Sequence, residues 1–318
     1  MANQARGYRS EIVMGFEQSY GDVGTSPKGN SVPFVSESLV LARNKNASTV
    51  LRGTRNPAAP DDGNTDVTGD VVVPVDVRNF GLWMKGLFGA PTTTQETEGM
   101  YKHIFSSGEE MPSLFMQTKI ATSTPFYKVS KGVKISSFAL QTGGDAELTA
   151  TLGMMGGRQS KEDTALVAAP TVLASGDVFK NFMAELKVDD VVFGKATAFA
   201  LNLDNGLDGD TYCIGGKGFR GDLSEGLMGL SGSMDVLLID TVLYQKAIDS
   251  TELKFSLKYS RADGTSLEFA VPHAQIAATG VAVPGPAGLR MTWNWQGYSP
   301  LANDAALLVT LINDVTTY

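Results

Sequence analysis

Alternation of apolar and polar residues with a period of two recurs along the chain and predicts β-strands. The segments DAELTATLGMMGG (145–157) and GLRMTWNWQGY (288–298) both show it. Their apolar positions fall on one face and align between the two segments: Leu148, Ala150 and Leu152 in the first, Leu289, Met291, Trp293 and Trp295 in the second. Clusters of Gly, Asp, Asn and Pro separate such segments. The pattern predicts an all-β fold.

The period changes within GDVVVPVDVRNFGLWMKGLFG (69–89). Val71, Val73 and Val75 alternate, after which the apolar spacing becomes i, i+3, i+4, i+7, at Phe80, Trp83, Met84 and Leu87. This spacing predicts a strand followed by an amphipathic helix over 77–88, with those four side chains on its core face. Asp76 is the expected cap, since a carboxylate accepts hydrogen bonds from the free N–H groups of a first helical turn.

A weaker copy of this segment lies at SMDVLLIDTVLYQKAID (233–249). Asp235, Leu237 and Ile239 alternate, and Asp240 takes the place of the cap. Tyr244 and Ile248, with Ala247 between them, are the predicted core face of a second helix.

Further matches follow in the same order. Residues 32–44 match 197–209, 113–120 match 266–273, and 132–157 match 280–299. We therefore predict two tandem antiparallel β-sandwich or barrel domains, each with its own core and one flanking α-helix. The predicted boundaries are an N-terminal arm (1–29), a first domain (30–157), a linker (158–179), a second domain (180–299) and a C-terminal segment (300–318).

Two remaining segments are unusual for a compact domain. Residues 52–70 are rich in Pro, Asp, Asn and Gly, which predicts a long loop that is neither strand nor helix. The last stretch, DAALLVTLINDVTTY, has an apolar middle and is expected to add a strand to its own or a neighbouring subunit.

Composition and charge narrow the class of protein. The chain is 42% hydrophobic and 19% charged, without an apolar run long enough for a membrane helix. Its start lacks the apolar core of a signal peptide, and the single cysteine, Cys213, has no internal partner, so we expect assembly in a reducing cytoplasm. With 26 Lys and Arg against 34 Asp and Glu, the net charge is −8, which disfavours tight binding of nucleic acid.

No constellation of catalytic or ligand-binding residues is evident. His103 and His273 are not equivalent in the repeat, and each is interpreted as a surface or half-buried residue; Cys213 is interpreted as a small core or boundary residue. The acidic stretches 61–66 and 204–210 lack a calcium-loop pattern and are interpreted as hairpin turns. GGKGFRGD (215–222) lacks the order of a phosphate-binding loop. We predict no enzyme activity, cofactor or metal, and a structural or interaction protein.

At this point the chain resembles a known family, the major tail tube proteins of long, non-contractile-tailed bacteriophages (siphoviruses), in the group whose tube fold is present twice. The matching segments are SEIVMGFEQSYGDVGTSP, VPFVSESLVL, LRGTR, TGDVVVPVDVRNFGLWMKGLFGAPTTT, YKHIF and SLFMQ. The resemblance covers nearly the whole chain and is most specific over 11–120.

The resemblance implies a virion protein whose rings stack into a tail, with inner sheets closing a barrel around a lumen through which DNA passes. If single-domain relatives need six copies per ring, a duplicated chain needs three, so a trimer with pseudo-sixfold symmetry is expected. Partners would be further copies, the tape-measure protein and terminator or tip proteins. Glu37 and Glu147 are candidate lumen acids. Arg52, Arg55, Asp61 and Asp62 are candidate ring-to-ring contacts.

Three alternatives stay open from the sequence. An outer-membrane β-barrel fits the alternation, but the strand-linked helix and the absence of a signal peptide disfavour it. A glycan-binding or adhesin module on a virion surface would need exposed aromatic side chains, whereas Trp293 and Trp295 share a face with Leu289. An enzyme is disfavoured because no catalytic constellation is evident.

Overall fold

A computed structural model describes residues 4–108, 110–283, 285–301 and 304–318. The fold is all-β with minor helix, as the alternation predicted. The first half contains β1 (Glu11–Phe16), β2 (Asn30–Val32), β3 (Ser36–Glu37), β4 (Val40–Asn46), β5 (Asp61–Pro74), α1 (Phe80–Phe88), β6 (Thr92–Thr97), β7 (Met100–Ser106), β8 (Leu114–Ile120), β9 (Phe126–Gly143), β10 (Thr149–Gly156), β11 (Arg158–Glu162) and β12 (Thr171–Val172). The second half contains β13 (Ala184–Val188), β14 (Val191–Val192), β15 (Ala196–Asp204), β16 (Gly229–Leu237), α2 (Val242–Ile248), β17 (Leu253–Ser260), β18 (Ser266–Ile276), β19 (Arg290–Gly297) and β20 (Leu308–Asn313).

Both halves pair their strands in the same order. In the first half, β1 pairs with β8, β8 with β9, β9 with β10, β10 with β5, and β5 with β4. In the second half, β13 pairs with β17, β17 with β18, β18 with β19, β19 with β16, and β16 with β15. By this order β18 corresponds to β9 and β17 to β8. The sequence match of 113–120 with 266–273 was therefore wrong by one strand.

The halves join in one sheet, which we call the central sheet. Its order is β4, β5, β10, the second part of β9, β15, β16 and β19, with β3 beside β5. The first part of β9 continues into a first flanking sheet with β12, β2, β1, β8 and β11. The second flanking sheet has the order β14, β13, β17, β18, β20, β7 and β6.

Parts of the predicted arm and linker lie inside these sheets. β1 falls within the predicted arm 1–29, yet it lies between β2 and β8 with Ile12, Val13 and Met14 buried. The predicted linker supplies β11 and β12. Strands at these places use backbone hydrogen bonds that an arm or linker would leave to water.

The core is continuous through both halves rather than divided between two domains. Phe80 of α1 lies with its ring centroid 6.4 Å from that of Phe138 in β9 and 6.5 Å from that of Phe269 in β18. At Gly232 in β16, a Cβ atom would come within 2.4 Å of the Trp295 ring, so only glycine fits beside this buried tryptophan. Because β9 belongs to sheets of both halves, neither half encloses its core alone.

The first helix forms with the predicted core face, but it begins at Phe80 rather than at 77. Phe80, Trp83, Met84 and Leu87 are all buried. One carboxylate oxygen of Asp76 accepts hydrogen bonds from the backbone N–H groups of Arg78 (3.0 Å), Asn79 and Phe80 (3.0 Å). Burial raises the pKa of the Asp76 carboxyl, although these donors act in the opposite direction.

The second helix differs from the prediction. Asp240 is exposed and accepts one first-turn bond, from Val242 N–H at 3.2 Å. Leu243 and Ala247 are the buried residues of α2, and Tyr244 is half-buried with its ring 6.3 Å from that of Trp293. The prediction of Ile248 on the core face was wrong, since this side chain is 52% exposed.

A one-residue shift in β16 accounts for part of this difference. Met234 lies opposite Trp293 in the second half, as Val71 lies opposite Leu152 in the first. The buried residues are therefore Met234 and Val236, and the predicted alternation over Asp235, Leu237 and Ile239 lies on the other face or outside the strand. A shift of one residue exchanges the two faces of a strand.

The predicted loop 52–70 was wrong in its second part. β5 begins at Asp61 and pairs with β4, with Thr65 and Val67 fully buried. The buried positions alternate with polar ones here, but the many Asp, Asn and Gly residues favoured the prediction of a loop. The segment that remains without strand structure is 47–60.

The C-terminal segment adds a strand to its own chain. β20 lies between β18 of the second half and β7 of the first. Beyond it, the Tyr318 hydroxyl donates to the Arg78 carbonyl (2.6 Å), and Arg78 forms ion pairs with Asp314 (2.8 Å) and Asp177 (3.0 Å). Among the described residues, no helix is long and apolar enough to span a bilayer.

Candidate assembly surfaces

The central sheet has one face turned away from the core, which we call the polar face. Alternation along its strands places short side chains there, because the larger apolar residues take the opposite positions. This face includes Ser137, Ala139 and Gln141 of β9, Thr149 and Thr151 of β10, Ala200, Asn202 and Asp204 of β15, Ser231, Ser233 and Asp235 of β16, and Arg290, Thr292, Asn294 and Gln296 of β19. A face of this kind presents little apolar surface and few bulky groups.

Acidic residues contribute to the charge of the polar face. Asp70 and Asp204 are exposed on it, and Asp235 accepts a hydrogen bond from the Thr292 hydroxyl at 2.6 Å. Arg290 lies on the same face and is exposed. The face therefore carries carboxylates without a basic stripe along its described strands.

The two predicted lumen acids occupy different environments. Glu37 lies on the core side of β3, with a side chain 6% exposed and an ion pair of 2.7 Å to Lys128 of β9. Its placement on a polar strand face was wrong, because Glu37 shares its side of the strand with buried Leu39. Glu147 is exposed just before β10 and remains a candidate.

The predicted ring-to-ring residues fall in two groups. Arg52 and Arg55 lie in the exposed segment 47–60, where the Arg52 guanidinium donates to the Pro57 carbonyl at 3.1 Å. Asp61 and Asp62 lie in β5 instead. Hydrogen bonding to Lys45 lowers the pKa of the Asp62 carboxyl, and Arg43 contributes at 3.4 Å. Asp62 therefore already has two cationic partners in its own hairpin.

One edge of the central sheet is the outer side of β3 and β4. Here the Leu41 N–H donates to the side-chain oxygen of Gln159 at 2.9 Å. The Leu39 carbonyl accepts from the amide of Gln159 (3.1 Å) and the ammonium of Lys128 (2.8 Å). Side chains of the first flanking sheet thus form hydrogen bonds with backbone groups that would otherwise be free to bind a neighbouring strand.

The opposite edge is β19. Only Trp295, Gln296 and Gly297 pair with β18 there, although β19 pairs with β16 along its whole length. The segment 277–283 that follows β18 is irregular, with Val281 and Val283 exposed. Within the described residues, positions 290–293 of β19 therefore have a strand partner on one side only.

Sequence reasoning missed the contacts of the long loop 205–228 between β15 and β16, which packs on the first half. Buried Arg220 donates to the carbonyl of Gly156 (3.2 Å) and to the carboxylate of Asp66. Lys134 in β9 donates to the Leu223 carbonyl (2.7 Å) and pairs with Glu225 (2.8 Å). Arg220 of the segment GGKGFRGD is thus part of an internal contact, a role that spacing alone does not signal.

His103 and Cys213, which were considered as reactive groups, differ in burial from the prediction. His103 is buried, with its two ring nitrogens 2.9 Å from the Thr93 hydroxyl and 2.9 Å from the Val315 carbonyl, so the nitrogen facing Val315 carries the hydrogen. Burial lowers the pKa of His103. Its interpretation as a surface or half-buried residue was wrong, and Cys213, interpreted as a core or boundary residue, is exposed.

The described residues form neither a metal-binding cluster nor an exposed tryptophan surface. Groups of three or more His, Cys, Asp or Glu able to hold a metal ion are absent from the described part of the chain. Trp293 and Trp295 are 2% and 1% exposed, so neither offers a stacking surface for a sugar.

Comparison with protein families relates the chain to a known family. A family model described as phage tail tube protein matches residues 7–297, which include both halves of the central sheet. No curated protein matches the chain.

Proposed function

Because the chain belongs to the phage tail tube protein family, a structural family of the virion tail, we propose that it forms stacked rings whose central sheets line a lumen for DNA. The observation that carries this proposal is the central sheet itself. It extends across both halves, has an exposed polar face, and ends in two edges, the β3–β4 edge and residues 290–293 of β19, that the described chain does not pair with further strands. Closure into a barrel removes such edges.

The repeated pairing order supports a ring of three chains. β9 of the first half pairs with β15 of the second, so one lateral junction between tube-like units is already made within the chain. A closed ring of identical contacts between chains would alternate with these internal junctions. Three chains then supply six similar units, which gives pseudo-sixfold symmetry.

The charge of the polar face suits a passage for DNA. A basic lumen would bind phosphates through the release of counterions and would hold the DNA. Asp70, Asp204 and Asp235 repel phosphate weakly, and the short neutral side chains around them offer no base-stacking surface. DNA would then slide without specific binding.

Ring stacking needs a separate surface. The segment 47–60 is a candidate, since it carries Arg52, Arg55 and the exposed apolar side chains Val50 and Leu51. Stable contacts generally bury more than about 1,000 Å², which would order this segment against the next ring. The ends of the tube would contact terminator and tip proteins, and the lumen would hold the tape-measure protein before DNA enters, after assembly in the host cytoplasm.

Electron microscopy of the purified protein tests the proposal. End-on class averages are expected to show hollow rings of three chains with six similar lobes, stacked into tubes. Rings of six chains would refute the trimer while keeping the tube. Compact monomers under all assembly conditions would contradict the proposed function as a whole.

A further inference from the structure

The two open edges of the central sheet point to a specific junction between chains. Resting on the proposed function, we propose that residues 278–283 of one chain form a strand between their own β19 and the β3–β4 edge of a second copy. The partner is thus another copy of this chain, and the contact repeats the internal junction between β9 and β15.

The pairing of β9 with β15 inside the chain is the model for the proposed contact between chains. The second part of β9 lies between β10 and β15, so that Leu140 faces Ala150 on one side and Leu201 on the other. Phe138 is likewise opposite Leu152 and Leu203. This part of β9 is therefore held by one strand of its own half and one strand of the other half.

In the second half, β18 begins to pair with β19 as β9 pairs with β10, but this pairing ends after a few residues. Ile276 lies opposite Trp295 as Ile135 lies opposite Met154, which aligns β18 with β9. The next residue still follows the ladder, since the Ala277 N–H donates to the Asn294 carbonyl at 2.8 Å. Beyond that point β9 continues as a strand to Gly143, whereas the chain after β18 is irregular. Among the residues that the structure describes, no counterpart of β15 lies beside this segment.

Residues 278–283 have the sequence of a strand. They read Ala-Thr-Gly-Val-Ala-Val. β9 has a bulge at Ser136, because Ile135 lies opposite Met154 while Ser137 lies opposite Gly153. With the same bulge placed at Ala277, Val281 takes the position of buried Leu140. Val281 and Val283 are exposed in the single chain, Val283 by 73%. Burial of these side chains in a completed sheet would favour the strand.

The β3–β4 edge is the counterpart of β15. Leu41 lies opposite Val67 as Leu203 lies opposite Leu230, so Leu39 and Leu41 correspond to Leu201 and Leu203. The Leu39 carbonyl and the Leu41 N–H point away from β5, toward Gln159 and Lys128. These are the groups that an incoming strand would engage.

The alignment fixes the register of the junction. Val281 of one chain lies opposite Leu39 of the other, Thr279 opposite Leu41, and Gly280 opposite Val40. Gln159 and Lys128 hold the edge in the single chain, and an incoming backbone replaces their bonds with ladder bonds. Protecting an edge strand in this way limits unspecific pairing before assembly.

Disulfide trapping tests the register. The backbone groups of Leu39 and Leu41 point outward at the edge and would form the hydrogen bonds to the incoming strand. Val40 and Gly280 would then be a non-hydrogen-bonded pair. The Cα atoms of such a pair lie about 4.5 Å apart in antiparallel sheets. That spacing is within the range a disulfide bridges. Both positions are exposed, and a Cβ atom at Gly280 meets no other atom within 4 Å. The test chain carries Val40→Cys and Gly280→Cys with Cys213→Ser.

The matched control replaces Gly280→Cys with Val191→Cys, an exposed position on β14 at the far edge of a flanking sheet. Under mild oxidation, the test chain is expected to convert from monomer into covalent dimers and trimers on a non-reducing gel, while the control stays monomeric. The same samples are viewed by electron microscopy.

The two readouts separate the possible failures. Rings or tubes without a disulfide in the test chain, or with equal cross-linking in the control, would overturn the junction and leave the tube function intact. A chain that gives neither rings nor covalent multimers would count against both.

Discussion

Single residues show how this fold uses charge inside an all-β protein. Asp76 is buried and accepts three backbone N–H groups at the start of α1, whereas Asp240 at the start of α2 is exposed and accepts one. Glu37 and Arg220 are likewise engaged in internal ion pairs. Buried charges of this kind are tolerated only where partners satisfy them.

The contrast between the two aspartates predicts unequal effects on stability. Asp76→Ala leaves buried N–H groups without an acceptor and is expected to lower the free energy of unfolding by about 1–3 kcal/mol. Asp240→Ala is the matched control and is expected to give a smaller loss, because water can reach its N–H groups. Urea unfolding followed by tryptophan fluorescence measures both. Equal losses in the two variants would contradict this account of Asp76.

At the scale of elements, two strands tie the halves together. β9 belongs to the central sheet and to the first flanking sheet, and β20 joins β18 to β7. Leu307, Val309 and Leu311 of the C-terminal segment are fully buried. The halves therefore fold around shared strands, which favours a single cooperative transition.

Loss of packing in β20 is predicted to weaken the whole molecule. Leu311→Ala creates a cavity and is expected to cost about 2–5 kcal/mol. Thr310→Ala, on the opposite face of the same strand and only half-buried, is expected to change the free energy of unfolding by about 0.5 kcal/mol or less. Calorimetry is expected to show one transition in each variant. Separate melting of the two halves would refute the shared core.

At the scale of the whole molecule, the flanking sheets and the polar face of the central sheet have different roles. The flanking sheets and helices bury the core, which leaves the opposite face of the central sheet free to carry short polar residues. In the proposed tube, the charge of that face decides whether DNA slides or binds.

Charge reversal on the polar face tests this role. Tubes of the variant Asp70→Lys with Asp204→Lys are expected to bind duplex DNA at low salt and to release it as salt rises. The control reverses Asp163 and Asp190, which are exposed in turns that follow β11 and β13 of the flanking sheets. Cosedimentation of labelled DNA with tubes of confirmed morphology measures the difference. Equal DNA binding by both variants would place the polar face outside the lumen.

The sequence by itself determined the strands with clear alternation and the first helix. Burial with a period of two shows directly in segments such as β10 and β19, where the apolar positions of one strand match those of the other. The change of period at α1 is equally local, and its four core residues were correct. Such patterns are readable because each depends on which side of its own element is buried.

The tertiary structure decided which strands pair with each other and which side chains come into contact. The one-residue shift in β16, the core-side position of Glu37, the burial of Arg220 and the two edges of the central sheet all depend on residues far apart along the chain. A local pattern cannot specify which strand lies opposite, because alternation looks the same for every partner and register. The sequence predicted a repeat, whereas the shared core and the open edges became visible only in the fold.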